Sequence, residues 1–268
     1  MRPLANIFLK WMKGWDYAAA QRVDFFIANS QEVKKRIQKY YNRDSVVIYP
    51  PIDTEFWFGA RHPGPFSQTE GRPERGQTGG EFGAVSGRRG NLPQNNIASD
   101  APAMAKQGYF LLAGRLQAHK RNDLIIEIFN ELGLRLHVVG TGRQEQYLKS
   151  IARPNITFYG RVSDEELRTQ YQEAQGFIYP QIEDAGLMPL EAAACGTATI
   201  GIAKGGSLET IVPGVTGELF EDYNKEKIKQ IILAWNPEKY SADGLRRHAE
   251  KFSKKKFTDE ILKFINSK

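Results

Sequence analysis

Residues 176–196 predict a buried strand, an acidic turn and a short helix in direct succession. The apolar run at 177–179 is typical of a strand that Pro180 ends. Pro189 suits the first turn of a helix, because its missing N–H would have no partner there, and Gly196 is placed to end that helix. A strand that leads through a loop into a helix is half of a parallel βαβ unit, so this stretch favours an α/β chain.

The acidic turn of this stretch carries candidate binding groups. Glu183 lies in the turn, and Glu191 follows after seven intervening residues on the first turns of the helix. Gly186 allows the backbone to come close to a ligand. Ligands of open parallel sheets bind outside the carboxyl ends of the strands, so both carboxylates can face one ligand. On spacing alone, an ordinary strand–helix unit with a solvated acidic loop explains the pattern at least as well.

The chain from Gly108 onward alternates strand and helix patterns, which predicts a doubly wound parallel sheet. Strands are predicted at 109–113, 134–139, 156–159, 177–179 and 199–202, and helices at 121–132, 143–152, 163–174, 190–195, 224–235, 241–252 and 254–266. The last helix is basic and amphipathic. We expect it to pack against a sheet face, with membrane contact as the alternative.

The first 107 residues divide into two parts. Residues 1–58 predict a helix at 16–22, a buried strand at 23–28, a helix at 31–41 capped by Ser30, and a strand at 45–49. Residues 59–107 are rich in Gly, Pro, Gln, Asn and Arg and show no periodicity. Their apolar content is too low to offset the entropy of ordering, so we expect a disordered insertion.

Composition narrows the class of ligand and the compartment. The net charge of +6 over 268 residues is spread along the chain, which suits an anionic ligand or membrane surface and gives nucleic acid little weight. Without a run of eighteen apolar residues, no transmembrane helix is expected. The single cysteine, Cys195, excludes an intrachain disulfide and fits a reducing compartment. We therefore predict a cytoplasmic protein, with peripheral contact at the inner membrane face as an option.

Three further loops follow predicted strands and carry candidate groups. Arg115 and Lys120 are five residues apart and can converge on a diphosphate, although two unrelated surface cations would look the same. The Gly-Thr-Gly turn at Gly140 lacks the third glycine of a dinucleotide-binding fingerprint. Arg161 and Val162 follow the strand at 156–159, where a plain turn is the alternative.

Several motifs together resemble retaining GT-B glycosyltransferases, in particular the large family 4, or group 1. The segment E-D-A-G-L-M-P-L-E-A-A-A-C-G-T at 183–197 is similar to their E-x7-E segment, with Ala185 in place of a common aromatic and Ala198 in place of a usual proline. G-R-L-x-x-x-K at 114–120 resembles their diphosphate clamp, and the K-R-x-D continuation resembles a subgroup that contains mannosyltransferases. R-V-D-F-F-I-A-N-S, V-V-I-Y-P-P-I-D and the later G-G-x-x-E also match.

The resemblance implies a domain organisation. Residues 1–58 would be a remnant of an N-terminal acceptor domain and the interdomain crossing. Residues 59–107 would be a disordered Gly/Pro-rich insertion. Residues 108–268 would form a Rossmann-like nucleotide-sugar-binding domain, the C-terminal half of a GT-B fold.

The resemblance also implies roles for site residues. Arg115 and Lys120 would stabilise the leaving diphosphate where other enzymes use a divalent ion, so no metal and no other cofactor is expected. Glu183 would bind donor-sugar hydroxyls near the reacting carbon, and Glu191 the ribose hydroxyls. The other donor-binding positions would be Gly114, Gly140, Arg161, Val162, Gly186 and Leu187. Two roles stay open for Glu209, namely contact with a ligand and stabilisation of a helix start.

The implied function is transfer of a sugar with retention, with mannose from GDP-mannose favoured, to a glycan or lipid-linked acceptor. One alternative is a non-catalytic nucleotide-sugar-binding subunit that needs an N-terminal domain in trans or a homodimer. A UDP-sugar epimerase or a phosphorylase on the same fold is the other alternative. The phosphorylase is disfavoured because the sequence offers no context for a cofactor-binding lysine.

Overall fold

A computed structural model describes residues 2–59 and 108–268, and the expected insertion lies, apart from Gly59, outside them. The described residues belong to one compact unit. The helices are α1 Arg2–Gln21, α2 Gln31–Tyr41, α3 Thr54–Phe58, α4 Asn122–Leu132, α5 Glu145–Ile151, α6 Asp164–Glu173, α7 Leu187–Cys195, α8 Ser207–Thr210, α9 Lys225–Leu233, α10 Ala242–Glu250 and α11 Lys254–Asn266. The strands are β1 Ile27–Ala28, β2 Val46–Val47, β3 Phe110–Ala113, β4 Leu136–Val139, β5 Ile156–Gly160, β6 Gly176–Tyr179, β7 Thr199–Ile202 and β8 Gly217–Phe220.

The strands β3 to β8 form one six-stranded sheet in the order β5-β4-β3-β6-β7-β8. All five neighbouring pairs are parallel. The strand order reverses between β3 and β6, so the loops after these two strands run apart and leave a crevice at the carboxyl edge. The prediction of an α/β fold with a doubly wound parallel sheet is confirmed.

The core lies between this sheet and the helices on its faces. Every residue of β3, β6 and β7 is buried, as expected for strands covered on both sides. The predicted apolar stripe of α4 is buried as well, with Ile125 and Phe129 fully enclosed. The strand β8 was not predicted, because its sequence G-E-L-F has too few apolar residues to form a recognisable run.

The N-terminal part differs from its prediction in two ways. The first helix begins at Arg2 instead of residue 16. The predicted buried strand at 23–28 is wrong: only β1 forms, and Val23 and Phe25 are 43% and 50% exposed. Among the described strands β1 pairs only with β2, and the contacts of Phe25 with Phe264 and of Phe26 with Tyr41 leave most of the apolar run exposed. The predicted cap of α2 is confirmed, since the Ser30 hydroxyl accepts the Val33 N–H at 3.1 Å.

The C-terminal helix also differs from its prediction. No residue of α11 is buried, so packing against a sheet face is wrong. The chain approaches α11 beside the N-terminal part, through a bridge between Ile52 and Ser253, and Phe264 meets Phe25 with ring centroids 5.9 Å apart. Membrane contact by α11 stays a prediction. None of the described helices has both the length and the apolar content to cross a membrane.

Residues 52–58 attach the N-terminal part to the main sheet. The Arg168 guanidinium donates to the Phe56 carbonyl at 3.0 Å, and the Cys195 thiol donates to the Trp57 carbonyl at 3.4 Å. These contacts join α3 to α6 and α7. Together with the contacts of α2 described below, they hold the N-terminal part beside the carboxyl edge of the sheet.

Candidate functional site

Glycines at the ends of β3 and β4 allow two loops to touch at the crevice. Gly114 and Gly140 both have φ of 124°, a conformation that L side chains rarely adopt. A Cβ on Gly140 would lie 2.0 Å from the Gly114 carbonyl oxygen. The backbone that carries Arg115 is thus pressed directly against the loop after β4.

The acidic loop after β6 is fixed to the loop after β7. The Gly206 N–H donates to the Glu183 carbonyl at 2.8 Å. A Cβ on Gly205, whose φ is 60°, would lie 2.4 Å from that same carbonyl oxygen. Gly186, with φ of 62°, then turns the chain into α7. Close backbone packing therefore sets the position of Glu183.

A cleft of about 430 Å³, the first cleft, opens at the crevice between β3 and β6. It is lined by Asn29, Lys120, Tyr179, Gln181, Ile182, Glu183, Asp184, Ala185, Gly186, Leu187 and Met188. Four of the predicted site residues are brought together here, namely Lys120, Glu183, Gly186 and Leu187.

An ion pair crosses the first cleft. Lys120 Nζ lies 2.5 Å from Glu183 Oε1, with the lysine side chain 13% exposed and the glutamate side chain 41% exposed. The lysine end of the pair is largely buried and the carboxylate end is more open, so solvent screens mainly the charge of Glu183. An anion that enters the cleft can therefore compete for Lys120 and release Glu183 for other contacts.

Glu191 lies one helical turn beyond Leu187 on α7 and is partly buried. Burial, and next the charge of Asp164, raises the pKa of Glu191 to about 7. No ion pair or hydrogen bond to its carboxyl group is found among the described residues. A carboxylate without a partner in a dry setting is suited to accept two hydroxyl hydrogens from a ligand.

The other predicted site residues lie along the same sheet edge but do not line the first cleft. Arg115 and Arg161 follow β3 and β5 and are exposed, and Val162 packs on the hydrophobic core. Gly114, Gly140 and Glu191 also lie outside the lining. Their roles, like that of Arg115, stay predictions. Within residues 2–59 and 108–268, no group of three or more His, Cys, Asp or Glu side chains could hold a metal ion.

Seven residues that line the first cleft were not candidate site residues in the sequence analysis, and three of them lie at strand ends. Tyr179 and Gln181 stand on either side of Pro180, at the end of β6, and Asn29 follows β1. Gln181 is buried, and its Nε2 donates to the Ala113 carbonyl at 2.9 Å, which ties the acidic loop to β3. All three lie at or just after the end of a strand. The rule that ligands bind at the carboxyl ends of parallel strands, which indicated Arg115 and Glu183, therefore applies to them equally.

Glu209 is engaged by the N-terminal part of the chain. Its two carboxylate oxygens accept the Gln31 N–H at 3.1 and 2.9 Å, and the Tyr49 hydroxyl donates to it at 2.8 Å. Gln31 is the first residue of α2. Of the two roles left open, Glu209 serves a helix start, but of α2 and not of its own helix.

Comparisons with known proteins agree with this architecture. The family described as Glycosyl transferases group 1 matches residues 94–256. A GDP-mannose-dependent alpha-mannosyltransferase of Corynebacterium glutamicum is 32% identical over 123 residues, which cover 46% of this chain and 30% of that protein. A D-inositol 3-phosphate glycosyltransferase of Geodermatophilus obscurus is 26% identical over 264 residues, 89% of this chain and 51% of that protein. The chain thus spans about half, or less, of the length of these relatives.

Solved structures share the fold. Anabaena HepE in complex with UDP-glucose superposes with a TM-score of 0.66 at 16% identity, over 92% of this chain and 64% of that one. Sucrose-phosphate synthase from Thermosynechococcus elongatus gives a TM-score of 0.70 at 17% identity, over 96% and 61%. The family match covers more than half of the sequence, and its segment contains every residue that lines the first cleft except Asn29. The chain therefore belongs to the glycosyl transferases group 1 family.

Proposed function

We propose that this chain carries the donor site of a retaining family 4 glycosyltransferase that moves mannose from GDP-mannose to a glycan or lipid-linked acceptor in the cytoplasm. The observation that carries the proposal is the meeting of Lys120 and Glu183 in one cleft, at the point where the strand order reverses. Ligands of doubly wound sheets bind at this point.

The proposed chemistry is an exchange of partners by Lys120. The donor diphosphate takes the ammonium group from Glu183, and Arg115, which is exposed on the loop after β3, turns onto the same diphosphate. The two cations stabilise the charge that develops on the leaving group, so the proposal requires no metal. Glu183, once released, accepts hydroxyl hydrogens of the donor sugar, and Glu191 accepts those of the ribose.

The choice of GDP-mannose rests on the relatives. Two proteins of Corynebacterium glutamicum that match this chain are named as GDP-mannose-dependent mannosyltransferases. The competing donor is a UDP-sugar, since HepE is described in complex with UDP-glucose. Calorimetric titration of the chain with GDP-mannose and with UDP-glucose separates the two. Tighter binding of UDP-glucose would contradict the assignment of the base.

The exchange of partners by Lys120 is tested by two substitutions. Lys120→Ala should weaken the binding of both GDP and GDP-mannose roughly ten- to hundredfold, since a charge-assisted hydrogen bond contributes about 1.5–3 kcal/mol. Glu183→Ala should leave GDP binding unchanged or tighter, because Lys120 loses its competing partner, and should weaken GDP-mannose. Calorimetry gives all four affinities.

The matched control is Lys149→Ala, which removes a lysine that is also paired with a glutamate, on the surface of α5. It should change neither affinity. Equal losses for GDP and GDP-mannose in Glu183→Ala would show that Glu183 does not face the sugar.

A second candidate is a nucleotide-sugar-binding subunit that is not catalytic by itself and acts with an N-terminal α/β domain in trans or as a homodimer. The chain covers 35%, 30% and 51% of the length of three relatives that it matches. This candidate is tested by measuring transfer from GDP-mannose with the chain alone, and then with the N-terminal domain of a relative added. Robust transfer by the chain alone would exclude this candidate.

A further inference from the structure

The helix α1 presents an open apolar face to solvent. The side chains of Phe8, Trp11, Met12 and Trp15 are 58%, 64%, 44% and 61% exposed. Their spacing of i, i+3, i+4 and i+7 places all four on one side of the helix, which we call the aromatic face. Phe8 and Trp11 stack on each other with ring centroids 6.0 Å apart, and neither meets another aromatic ring in the described part of the chain.

The rest of the chain holds α1 only near its C-terminal end. The Tyr41 hydroxyl donates to the Asp16 carboxylate at 2.8 Å, and the Arg43 guanidinium donates to the Ala20 carbonyl at 3.2 Å. All the described hydrogen bonds between α1 and other elements involve residues 16–21. The preceding segment of the helix lacks this support, and an unsupported helix of such a length is marginal in water. A surface that accepts the aromatic face would stabilise it.

The side of α1 opposite the aromatic face is basic. Lys10 and Lys13 fall on that side and are exposed, and none of the described ion pairs involves either lysine. The one acidic residue of α1, Asp16, is already hydrogen-bonded to Tyr41. The helix therefore combines an apolar face with unpaired positive charge.

The same combination recurs next to α1. Phe25 is 50% exposed, and Lys268 Nζ stands 4.5 Å from the centre of its ring. Phe25 also meets Phe264 of α11, where Leu262 and Ile265 are 52% and 60% exposed. Exposed apolar side chains accompanied by lysines thus occur on both terminal helices of the described chain.

The charge of α1 indicates which kind of surface fits the aromatic face. A second copy of this chain would bring a net charge of +6 and the same lysines, whereas anionic lipid headgroups bring the opposite charge. Tryptophan and other amphipathic rings are favoured at the boundary between headgroups and acyl chains. A helix with an aromatic face and a basic polar face lies in the plane of that boundary. Like the other described helices, α1 does not have the length and apolar content to cross a membrane.

We propose that α1 is an interfacial helix that binds this chain to an anionic lipid surface. The aromatic face enters the headgroup boundary, and Lys10 and Lys13 reach lipid phosphates with their long side chains. The proposal goes beyond the donor site and does not rest on it, because no residue of α1 lines the first cleft.

Two of the four tryptophans make the test specific for α1. Trp11 and Trp15 are exposed, whereas Trp57 and Trp235 are buried, at 7% and 8% exposure. A blue shift of tryptophan emission when vesicles are added to the full chain therefore reports insertion of the aromatic face. We expect this shift, with co-sedimentation, for vesicles of phosphatidylglycerol and phosphatidylcholine in equal parts. Phosphatidylcholine alone should give a smaller effect, and salt should weaken binding to the anionic vesicles.

Substitutions separate the apolar contribution from the charged one. Trp11→Ser and Trp15→Ser should each weaken binding to the anionic vesicles roughly tenfold, because an inserted ring is lost. Lys10→Gln and Lys13→Gln should each weaken it roughly fivefold, and only for anionic vesicles, since one lysine near such a surface contributes about 1 kcal/mol.

Matched controls lie on α5. Tyr147→Ser removes an aromatic ring that is 50% exposed, and Lys149→Gln removes one positive charge. Neither should change vesicle binding. All the substituted side chains are exposed, so the urea midpoint of each variant should stay close to that of the parent.

Three results would overturn the proposal. Anionic vesicles might neither shift the emission nor sediment the chain, or the α1 variants might bind them as the parent does. In the third, the parent sediments as a dimer in analytical ultracentrifugation and Trp15→Ser dissolves it, so that a second copy covers the aromatic face. Titration with GDP in the absence of vesicles keeps the donor proposal separate. Trp11→Ser and Trp15→Ser should bind GDP as the parent does, and failure of the parent to bind GDP would count against the donor site alone.

Discussion

Glu191 is the residue whose protonation should matter most for ligand binding. Its pKa is raised from 4.5 to about 7 by burial, so much of it is neutral below pH 7. Ribose hydroxyls donate best to the ionised carboxylate, so affinity for GDP-mannose should rise between about pH 6 and 8. Glu191→Gln should bind more weakly at pH 8 and lose this dependence. Titrations with GDP-mannose at three pH values measure this dependence. An affinity of the unsubstituted chain that does not change with pH would contradict the role of Glu191.

The same raised pKa makes a prediction about stability. A carboxyl group whose pKa is higher in the folded state stabilises the fold at low pH, and this contribution is lost as the pH rises from about 4.5 to 7. Glu191→Gln should therefore be more stable than the parent at pH 8 by up to about 3 kcal/mol, at 1.36 kcal/mol per unit, and similar at pH 4.5. Urea unfolding of the variant and the parent at pH 4.5 and at pH 8 measures both differences. Glu226→Gln, an exposed control on α9, should show no such trend.

The loops after β3 and β4 act as one packed unit, and Gly140 is the residue that permits it. Gly140→Ala would place a Cβ 2.0 Å from the Gly114 carbonyl oxygen, so the loop that carries Arg115 must move. We expect a loss of unfolding free energy of about 3 kcal/mol or more, together with weaker GDP binding.

Gly133→Ala is the matched control for this loop contact. Gly133 also has a positive φ, of 67°, but no atom lies within 4 Å of its Cβ position. Only the strain of an alanine in a left-handed backbone conformation applies there, and it should lower the unfolding free energy by about 1 kcal/mol. Urea unfolding and GDP titration of both variants make the comparison, and equal losses in the two would mean that the loops do not touch.

The molecule as a whole depends on Glu209 to join its N-terminal part to the main sheet. Glu209→Ala removes the acceptor of the Gln31 N–H and the Tyr49 hydroxyl and should lower the unfolding free energy by about 1.5–3 kcal/mol. Because this carboxylate is engaged by α2, GDP affinity should not change. Unfolding and calorimetry on the same variant test both statements, and a large loss of GDP affinity at unchanged stability would return Glu209 to the ligand site.

Local patterns were sufficient for five of the six strands of the main sheet and for the ends of several of its helices. The run at 177–179 became β6, the capping box at Ser163 and Glu166 formed as predicted, and Gly196 ends α7 with φ of 90°. These features depend on interactions within a few residues, or on burial that a continuous apolar run implies, and the sequence contains both. The alternation of such segments then determined a parallel sheet and the edge at which its loops meet.

Only the tertiary structure decided which groups meet across that edge. Glu183 pairs with Lys120, and Glu209 reaches Gln31, 178 residues away in the chain. The apolar run at 23–28 stays largely exposed, with single rings such as Phe264 packed on parts of it, although its pattern matches that of buried β6. Burial and pairing of this kind depend on which surfaces come together in space. A one-dimensional pattern determines an element and its loop ends, but it does not determine the partner.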